Sequence, residues 1–368
     1  MSGAAIAPAL AEIELHFKDL PNSQFLVKMI LTMPALFIAI TAPIMGGVCD
    51  KVGRVPVLMF GIALYGISGC SPFLFPGLYS ILVGRAFLGI AVACVLTSCT
   101  TLIGDFYQGH QRDRMMGLQA AFMSYSGVFF PLASGALADV NWQLPFAVYS
   151  VSFLMLPMVY FWIKEPVHHA HTQTKHAEES SFPVWTLLLL FGLAAVYMTC
   201  YYFIPAQFPF YLKYELGANA LQTGMTLAFV SFSIGSWAML FHRIRKFIPA
   251  PWLAVISLTC ICIGFQILSM FGSWIGIGVG IFIAGMGLGT LGPNITTWSL
   301  AIAPERLRGR VTGSIAASFF VGQFLSPVLA KPMVDAWDIN GAFQGVSLII
   351  LTLAIIMSIL AIAQRKKA

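Results

Sequence analysis

The sequence predicts an all-α integral membrane protein, and composition, run length and charge placement each support this fold class. Of the 368 residues, 58% are hydrophobic and 9% are charged, whereas a soluble domain carries about 25% charged residues. The apolar residues form runs that match the length needed to cross the hydrocarbon of a bilayer, about 20 residues in a helix. The charges cluster between these runs, so most of the protein surface must face lipid.

Eleven such runs can be read along the chain, at residues 25–48, 55–75, 78–103, 113–138, 145–163, 183–211, 221–241, 250–271, 274–303, 310–336 and 342–363. The segment before them, from Met1 to Ile13, is apolar but spans only about 20 Å at about 1.5 Å per residue. It lacks a basic start and runs directly into Glu12 and Glu14, so it does not read as a signal peptide. We expect it to be a first helix that lacks its beginning.

A short charged segment joins the first two runs and reads Gly-Gly-Val-Cys-Asp-Lys-Val-Gly-Arg over residues 46–54. Hydrocarbon excludes such charges, so the segment must lie at a membrane surface. We expect its first two glycines to permit a tight turn and its Asp and Arg to pair across that turn. The segment resembles the signature loop between helices 2 and 3 of the major facilitator superfamily of transporters, at Gly46, Asp50, Lys51, Gly53 and Arg54.

The resemblance implies a fold of two pseudo-symmetric six-helix bundles, here with the first helix truncated. It divides the chain into an N-terminal transmembrane bundle at residues 1–164, a cytoplasmic linker at 165–182 and a C-terminal transmembrane bundle at 183–368. Transporters of this fold bind a small-molecule substrate near the midplane between the bundles. Alternating access to that site from the two sides of the membrane moves the substrate across.

An internal repeat supports two related halves. Residues 112–117 (Arg-Asp-Arg-Met-Met-Gly) match residues 308–313 (Arg-Gly-Arg-Val-Thr-Gly) at an offset of 196 residues (308 − 112), and the same offset carries Pro131 onto Pro327. This register favours duplication of a six-helix unit. The signature segment has only a basic counterpart, at residues 242–246.

Lysine and arginine sort between alternate turns, with 15 on the side of the signature segment and 4 on the other, namely Lys18, Lys28, Lys213 and Lys331. Cytoplasmic loops carry the excess of these residues. The signature segment, the linker and the C-terminus are therefore predicted to face the cytoplasm, in the cell inner (plasma) membrane. The net charge of +6 follows from this asymmetry and requires no nucleic-acid partner. We expect a multi-pass monomer embedded in the bilayer.

The family resemblance assigns a conformational gate to Gly46, Asp50, Lys51, Gly53, Arg54 and Asp105. In the family, the acid of the signature loop is thought to contact the cytoplasmic end of a helix in the other half. A helix N-terminus suits a carboxylate because it carries about half a positive charge. Helix 11 starts near Arg310, so we expect its N-terminus to face Asp50, and we expect Asp105 to pair with Arg54. The alternative is a plain basic loop that sets topology.

Arg85 lies inside a predicted span, and residues 82–89 (Leu-Val-Gly-Arg-Ala-Phe-Leu-Gly) resemble the helix-4 motif of proton-coupled family members. A buried arginine costs about 3 kcal/mol on insertion scales, so it needs a partner. One interpretation is proton coupling, in which the fixed charge lowers the pKa of a nearby carboxyl group. The alternative is a structural arginine capped by backbone carbonyls. No Asp or Glu lies mid-span, so a partner acid would belong to the missing part of helix 1.

Residues 126–135 resemble the Gly-Pro-x-x-Gly-Gly element of antiporters in a degraded form that keeps Gly127, Pro131 and Gly135. Small residues allow close helix contact and proline permits a kink; ordinary packing is the alternative. Polar and aromatic groups within spans usually face the bundle interior. The candidates for a substrate cavity are Gln119, Tyr125, Tyr201, Gln207, Asn294 and Trp298. An aromatic lining without midplane charge favours an apolar or neutral compound.

The sequence shows no pattern typical of a cofactor, a metal site or an enzyme. The seven cysteines fall mostly inside apolar runs, which favours a packing role, and the histidines at 168–176 are typical of a solvated linker. No phosphate-binding loop and no nucleophile–base arrangement is present. The leading hypothesis is a secondary active transporter that exports a small molecule by proton antiport. Nutrient uptake by symport or uniport, and a transport-inactive membrane sensor or truncated product, are the alternatives.

Overall fold

A computed structural model of the chain describes residues 5–166, 184–304 and 307–365, which form helices joined by short turns, with no strand among them. A 3₁₀ turn at Ala7–Ala9 leads into the first helix, and a second one at Leu144–Ser150 leads into α7. The helices are α1 (Leu10–His16), α2 (Ser23–Val52), α3 (Arg54–Gly69), α4 (Ser71–Leu74), α5 (Leu78–Phe106), α6 (Gly109–Val140), α7 (Val151–Trp162), α8 (Val184–Leu216), α9 (Ala220–Arg245), α10 (Ala250–Met270), α11 (Trp274–Ile302) and α12 (Arg308–Arg365).

The described residues include 9 helical stretches that are long and apolar enough to cross a membrane, and α3 is a shorter apolar helix. The all-α membrane fold is therefore confirmed. The runs at 310–336 and 342–363 were expected as separate spans, and they meet without a loop inside α12. Asp338 breaks that helix, with φ 58° and ψ −172°, a backbone conformation outside the left-handed helical region and rare for any residue other than glycine.

The internal repeat extends to the starts of the helices. Arg54 begins α3 and Ala250 begins α10, while Leu78 begins α5 and Trp274 begins α11. Both pairs are separated by the offset found in the sequence, 196 residues (250 − 54 and 274 − 78). The two halves are therefore related element by element, as the fold class requires.

The halves meet along two seams. One seam joins α6 to α9, and the other joins the first half of α2 to the middle of α12. The 3₁₀ turn at Ala7–Ala9 is buried where α6, α8 and α9 converge. A cluster of buried aromatic rings, including Phe203, Phe265 and Phe343, holds α8, α10 and α12 together within the second half.

The halves are in direct backbone contact at one end of the molecule, whereas several glycines at the other end face open space. At the end where α6 finishes and α9 begins, backbone packs directly on backbone: a Cβ added at Gly224 would lie 2.4 Å from the carbonyl oxygen of Pro131. At the end that carries the signature segment, a Cβ added at Gly46, Gly117, Gly309 or Gly313 would meet no described atom within 4 Å. We call these the closed end and the open end.

Candidate gate and transport cleft

The signature segment is almost entirely helical, which differs from the expected glycine turn. Gly46 and Gly47 lie inside α2, and the chain turns only at Gly53, which ends α2 and precedes α3. Gly53 has φ +107°, a conformation that costs glycine little and other residues much. The charges are therefore carried by two rigid helix ends, which fixes their positions more firmly than a loop could.

Arg54 lies at the centre of the gate residues. Its Nε lies 2.9 Å from Oδ2 of Asp105, and its Nη2 lies 3.3 Å from Oδ1 of Asp50. The Arg54 side chain is buried, whereas that of Asp50 is 66% exposed. The expected pairs of Arg54 with Asp50 and Asp105 are thus present in the structure.

Among the described residues, the expected contact between Asp50 and the start of α12 is absent. Asp50 instead forms its ion pair with Arg54. Lys51 is exposed beside it. The start of α12 also faces open space at this end, since a Cβ added at Gly309 or Gly313 would meet no described atom within 4 Å. Among the described residues, Asp50 therefore pairs within its own half and not with α12.

Glu165 contacts the candidate gate and was not identified from the sequence. Its carboxylate accepts hydrogen bonds from the backbone N–H groups of Arg54 (2.6 Å) and Val55 (2.8 Å), at the N-terminus of α3. A helix N-terminus has unsatisfied N–H groups that a carboxylate stabilises. The signal in the sequence is an acid just after the last span of the first half, at the predicted start of the linker.

Replacing Glu165 with Gln is expected to destabilise the protein by about 1 kcal/mol, because the cap loses its charge on the helix dipole. Thermal unfolding in detergent, followed by intrinsic fluorescence, should show a lower Tm. Glu215→Gln, at an exposed acid on α8, is the control and should leave the Tm unchanged. Equal Tm values for wild type and Glu165→Gln would contradict the capping role.

Arg85 is fully buried inside the first half and contacts neutral groups. Its Nη1 donates to the hydroxyl of Tyr149 at 3.1 Å, and its Nη2 donates to the carbonyl oxygen of Gly69 at 3.2 Å. The guanidinium also lies over the rings of Phe146 and Tyr149, at 5.0 and 4.9 Å. Among the described residues, no carboxylate forms an ion pair with it. This geometry favours the structural interpretation, in which α5 is tied to α3 and the 3₁₀ turn before α7.

Replacing Arg85 with Met is therefore expected to lower the Tm, since it removes both hydrogen bonds and both ring contacts at a buried site. The pH dependence of any remaining transport should keep the wild-type midpoint. Arg243→Met, at an exposed arginine of α9, is the control for the loss of one charge. A shifted midpoint in Arg85→Met would restore the proton-coupling interpretation.

The helix-5 element forms the α6–α9 seam. Gly127, Pro131 and Gly135 are buried on α6, and a Cβ at Gly135 would lie 2.5 Å from the carbonyl oxygen of Ala220. Asp139, one turn further along α6, accepts hydrogen bonds from the backbone N–H groups of Ala220 (2.8 Å) and Leu221 (3.2 Å). The seam thus combines close backbone contact with a carboxylate cap that crosses between the halves.

A cleft between the halves lies next to this seam. Tyr201 lines it, and both halves contribute to its wall. Its lining includes Ala7, Leu31, Pro131, Tyr201, Leu227 and Val230. The surface offered to a ligand is therefore mainly apolar, and its polar groups come from Tyr201, Tyr202 and Ser231.

Gln207 lies at the closed end rather than in this central cleft. Its Oε1 accepts a hydrogen bond of 2.6 Å from Nζ of Lys28, which belongs to the other half. Sequence reasoning counted Lys28 among the charges that flank the spans, yet it is only 5% exposed and lies inside α2. Its position within the run at 25–48 was the signal that could have identified it.

The remaining cavity candidates are not brought together. Gln119 is partly buried and Tyr125 is 72% exposed, both on α6. Asn294 is buried within the second half, where its Nδ2 donates to the carbonyl oxygen of Ala250 at 2.9 Å. Trp298 lies beside Pro251 at the edge of the same half. Asn294 and Trp298 therefore tie α11 to α10 and do not reach the central cleft.

No group of His, Cys, Asp and Glu that could hold a metal ion occurs within the described ranges. The histidines at 168–176 lie outside those ranges. The cysteines of the chain are all unpaired, and Cys49, Cys94 and Cys200 are buried.

A membrane protein built from two related helical bundles, which meet at one end and part at the other around a shared cleft, has the architecture of a carrier. A profile of the Major Facilitator Superfamily matches residues 1–327 and again residues 190–367. The chain belongs to the major facilitator superfamily and is a transporter of that family.

Relatives and solved structures agree with this assignment. The class H tetracycline resistance protein of Pasteurella multocida is 21% identical over 84% of this chain and 80% of its own length. The quinolone resistance protein NorA of Staphylococcus aureus is 23% identical over 88% of this chain and 84% of its own. The match to the vesicular acetylcholine transporter of Drosophila melanogaster is more local, at 27% identity over 40% of this chain and 26% of that protein.

Two solved structures share the fold. A bacterial homologue of the human lysosomal transporter Spinster, in an inward-facing and occupied conformation, has a TM-score of 0.77 and 16% identity over 98% of this chain and 94% of its own. A D-xylose–proton symporter has a TM-score of 0.73 and 15% identity over 97% and 94%.

Proposed function

We propose that this chain exports a small molecule in exchange for protons, by alternating access across the inner (plasma) membrane. The observation that carries the proposal is the difference between the two ends of the molecule. Gly135 and Gly224 seal the closed end through backbone contact, while the gate residues lie apart from α12 at the open end. A carrier must occlude its cleft from one side while the other side is accessible.

Charge placement orients this arrangement. The positive-inside rule puts the signature segment and the C-terminus in the cytoplasm, so the open end faces inward. Residues 1–164 then act as one bundle, 165–182 as the cytoplasmic linker and 183–368 as the other bundle, in a single chain that works as a monomer. When the halves close at the cytoplasmic side, Asp50 reaches the positively polarised N-terminus of α12 and holds the outward-facing state.

The central cleft supports an apolar or amphipathic substrate. Leu31, Pro131, Leu227 and Val230 line it together with Tyr201, and a small apolar cavity with few polar groups selects ligands by shape and hydrophobic contact. Two relatives that match most of the chain are named for tetracycline and quinolone resistance. This agreement favours export of a drug-like compound.

Everted membrane vesicles test the proposal. Respiration acidifies their lumen, and acridine orange reports the pH gradient by its fluorescence quenching. Addition of tetracycline, a quinolone or another exported compound should restore fluorescence in vesicles that contain this chain, because each compound molecule enters as protons leave. Vesicles with the Asp50→Asn variant provide the matched inactive control.

The alternatives predict other results. Uptake by symport would make growth on a compound depend on the chain, with no dequenching by any member of a broad compound panel. A transport-inactive sensor would be inserted stably and would change neither growth nor fluorescence. Either outcome would contradict proton-coupled export.

A further inference from the structure

We infer that the α2–α12 seam holds a binding site for a phosphate group at the closed end, and that the bound group bridges the two halves. The site is separate from the central cleft, and it does not depend on the direction or the coupling of transport. Four features of the closed end support it. They are a buried charge, a buried amide donor, the start of α2 and the contrast between the two seams.

Lys28 is a buried ammonium that lacks a carboxylate partner. It is 5% exposed on α2. Its Nζ donates to Oε1 of Gln207 at 2.6 Å and lies 4.7 Å from the centre of the Phe210 ring. In the part of the chain that the structure describes, no carboxylate forms an ion pair with this Nζ. An ammonium buried with only an amide and a ring as partners is unfavourable, and a bound anion would compensate its charge.

The charged groups that face Lys28 leave that charge uncompensated. Asp335 and Lys331 face it from α12, and Glu14 faces it from α1. Asp335 pairs with Lys331 at 2.6 Å, and the Glu14 carboxylate accepts a hydrogen bond from the hydroxyl of Tyr214 on α8. The two lysines and the aspartate together carry one net positive charge, which suits a single anion.

The amide of Gln207 has a donor to spare. Its Oε1 accepts from Lys28, whereas its Nε2 is buried and has no hydrogen-bond partner among the described residues. Gln207 is 1% exposed and lines the same cleft as Lys28. A buried donor without an acceptor is unfavourable, so an oxygen atom in the cleft would complete the hydrogen bonding of this amide.

The internal repeat shows what the α2–α12 seam lacks. An offset of 196 residues places Asp335 opposite Asp139 (335 − 139) and Gln24 opposite Ala220 (220 − 24). In the α6–α9 seam, Asp139 caps the start of α9 through backbone N–H groups that include that of Ala220. In the α2–α12 seam, α2 begins with no side-chain cap, and Asp335 pairs with Lys331 instead. The start of α2 is therefore available to an anion.

These donors surround one cleft of about 190 Å³, which Gln24, Lys28, Gln207, Lys331 and Asp335 line. A cleft of that size holds several waters and therefore has room for a phosphate group. Phosphate oxygens face several directions and bind well to lysines and helix N-termini. Because the donors come from three helices, a phosphate fits them better than a planar carboxylate does.

The phosphate group has two possible sources. The positive-inside rule places the closed end on the outer side of the membrane, where the headgroup of an outer-leaflet lipid or free phosphate from the external solution can reach it. In both cases the bound group contacts Lys28 in one half and Gln207 and Lys331 in the other. It should therefore stabilise the conformation in which the closed end stays closed.

Thermal unfolding of the full chain in a neutral detergent tests the site with two probes. The first probe is inorganic phosphate, compared with chloride at equal ionic strength. The second is phosphatidylglycerol, compared with a diacylglycerol that has the same acyl chains. We expect the Tm to rise with at least one probe. A rise with inorganic phosphate identifies a free anion as the ligand, and a rise with phosphatidylglycerol alone identifies a lipid.

Variants of the lining residues should change the half-saturating concentration of the effective probe. Lys28→Met and Gln207→Leu should raise it about tenfold or more, because each removes a donor to a charged group, whereas Lys28→Arg should keep most of the affinity. Asp335→Asn should lower it about two- to fivefold, because it removes a negative charge and frees Lys331 from its pair. Lys18→Met, at an exposed lysine on the same end, is the control and should bind like the wild type.

A Tm that responds to neither probe, or equal affinities for the wild type and Lys28→Met, would overturn the inference. Asp335 is exposed, so its variant should fold. If Lys28→Met does not fold, an Asp335→Asn variant that binds no more tightly than the wild type would overturn the inference.

Nitroxide labels at Asp19 and Ala336, both exposed at the closed end, test the bridging separately. Ketone-bearing amino acids can carry the labels while the native cysteines stay in place. The effective probe should increase the share of short distances between the labels, and an unchanged distribution would refute the bridge. Failure of the export assay would leave this site standing, and the absence of a phosphate response would leave export standing.

Discussion

The Gly135→Ala variant is expected to lose transport, because a single methyl group prevents the closed end from sealing. The added Cβ would lie 2.5 Å from the carbonyl oxygen of Ala220 and 3.0 Å from Cα of Leu221. Both are backbone atoms, which cannot rotate away as the end of a side chain could. Overpacking of this kind costs about 1–3 kcal/mol, enough to shift a two-state equilibrium by about 5- to 150-fold.

The measurement is the dequenching rate in everted vesicles, together with the amount of protein in the membrane. Gly117→Ala is a matched control on the same helix, since a Cβ there meets no described atom within 4 Å. The control should transport at the wild-type rate and Gly135→Ala should not. Equal transport rates in both variants would contradict the role of Gly135 in sealing the closed end.

The Asp50→Asn variant is expected to abolish transport and to leave the protein inserted and folded. Asparagine keeps the shape of the side chain and removes the charge that would contact the N-terminus of α12 when the open end closes. Folding should survive, because Arg54 keeps its pair with Asp105, at 2.9 Å. The outward-facing state then loses its lock, and the cycle stalls in the inward-facing state.

Rates in vesicles and the Tm in detergent separate these two effects. Asp19→Asn removes an exposed acid at the opposite end and serves as the control for a change of one charge. We expect background transport with a Tm near that of the wild type for Asp50→Asn, and normal transport for Asp19→Asn. Wild-type rates in Asp50→Asn would reduce the signature segment to a basic loop that sets topology.

Much of the fold could be predicted from the sequence because crossing a bilayer leaves few solutions. Every backbone group in hydrocarbon must be satisfied within its own helix, so an apolar run of sufficient length is a helix. The pairing of Arg54 with Asp105 also followed from the family resemblance. The turn at Gly53 was misplaced, because a helix end in lipid can run into the headgroup region, where Asp50 and Lys51 are solvated without a loop.

The parts of the site that sequence reasoning missed depend on contacts between distant segments. Lys28 and Gln207 are 179 residues apart, and Glu165 caps a helix that starts more than a hundred residues earlier in the chain. Their positions, a charge inside an apolar run and an acid just after a span, mark them as unusual, but the local sequence does not identify their partners. Asn294 was predicted to line the substrate cavity because it is a polar residue inside a span. Buried amide side chains also form hydrogen bonds between neighbouring helices, and Asn294 does this.

Alternating access requires that the two ends of the molecule open in alternation. Spin-label distances at both ends measure this directly, with one pair at Asn22 and Ala336 and a second pair at Gln111 and His242, where α6 begins and α9 ends. We expect one distance to lengthen as the other shortens. We expect Gly135→Ala to shift the molecule toward a long first distance and a short second one. Two distances that stay fixed, or that lengthen together, would contradict it.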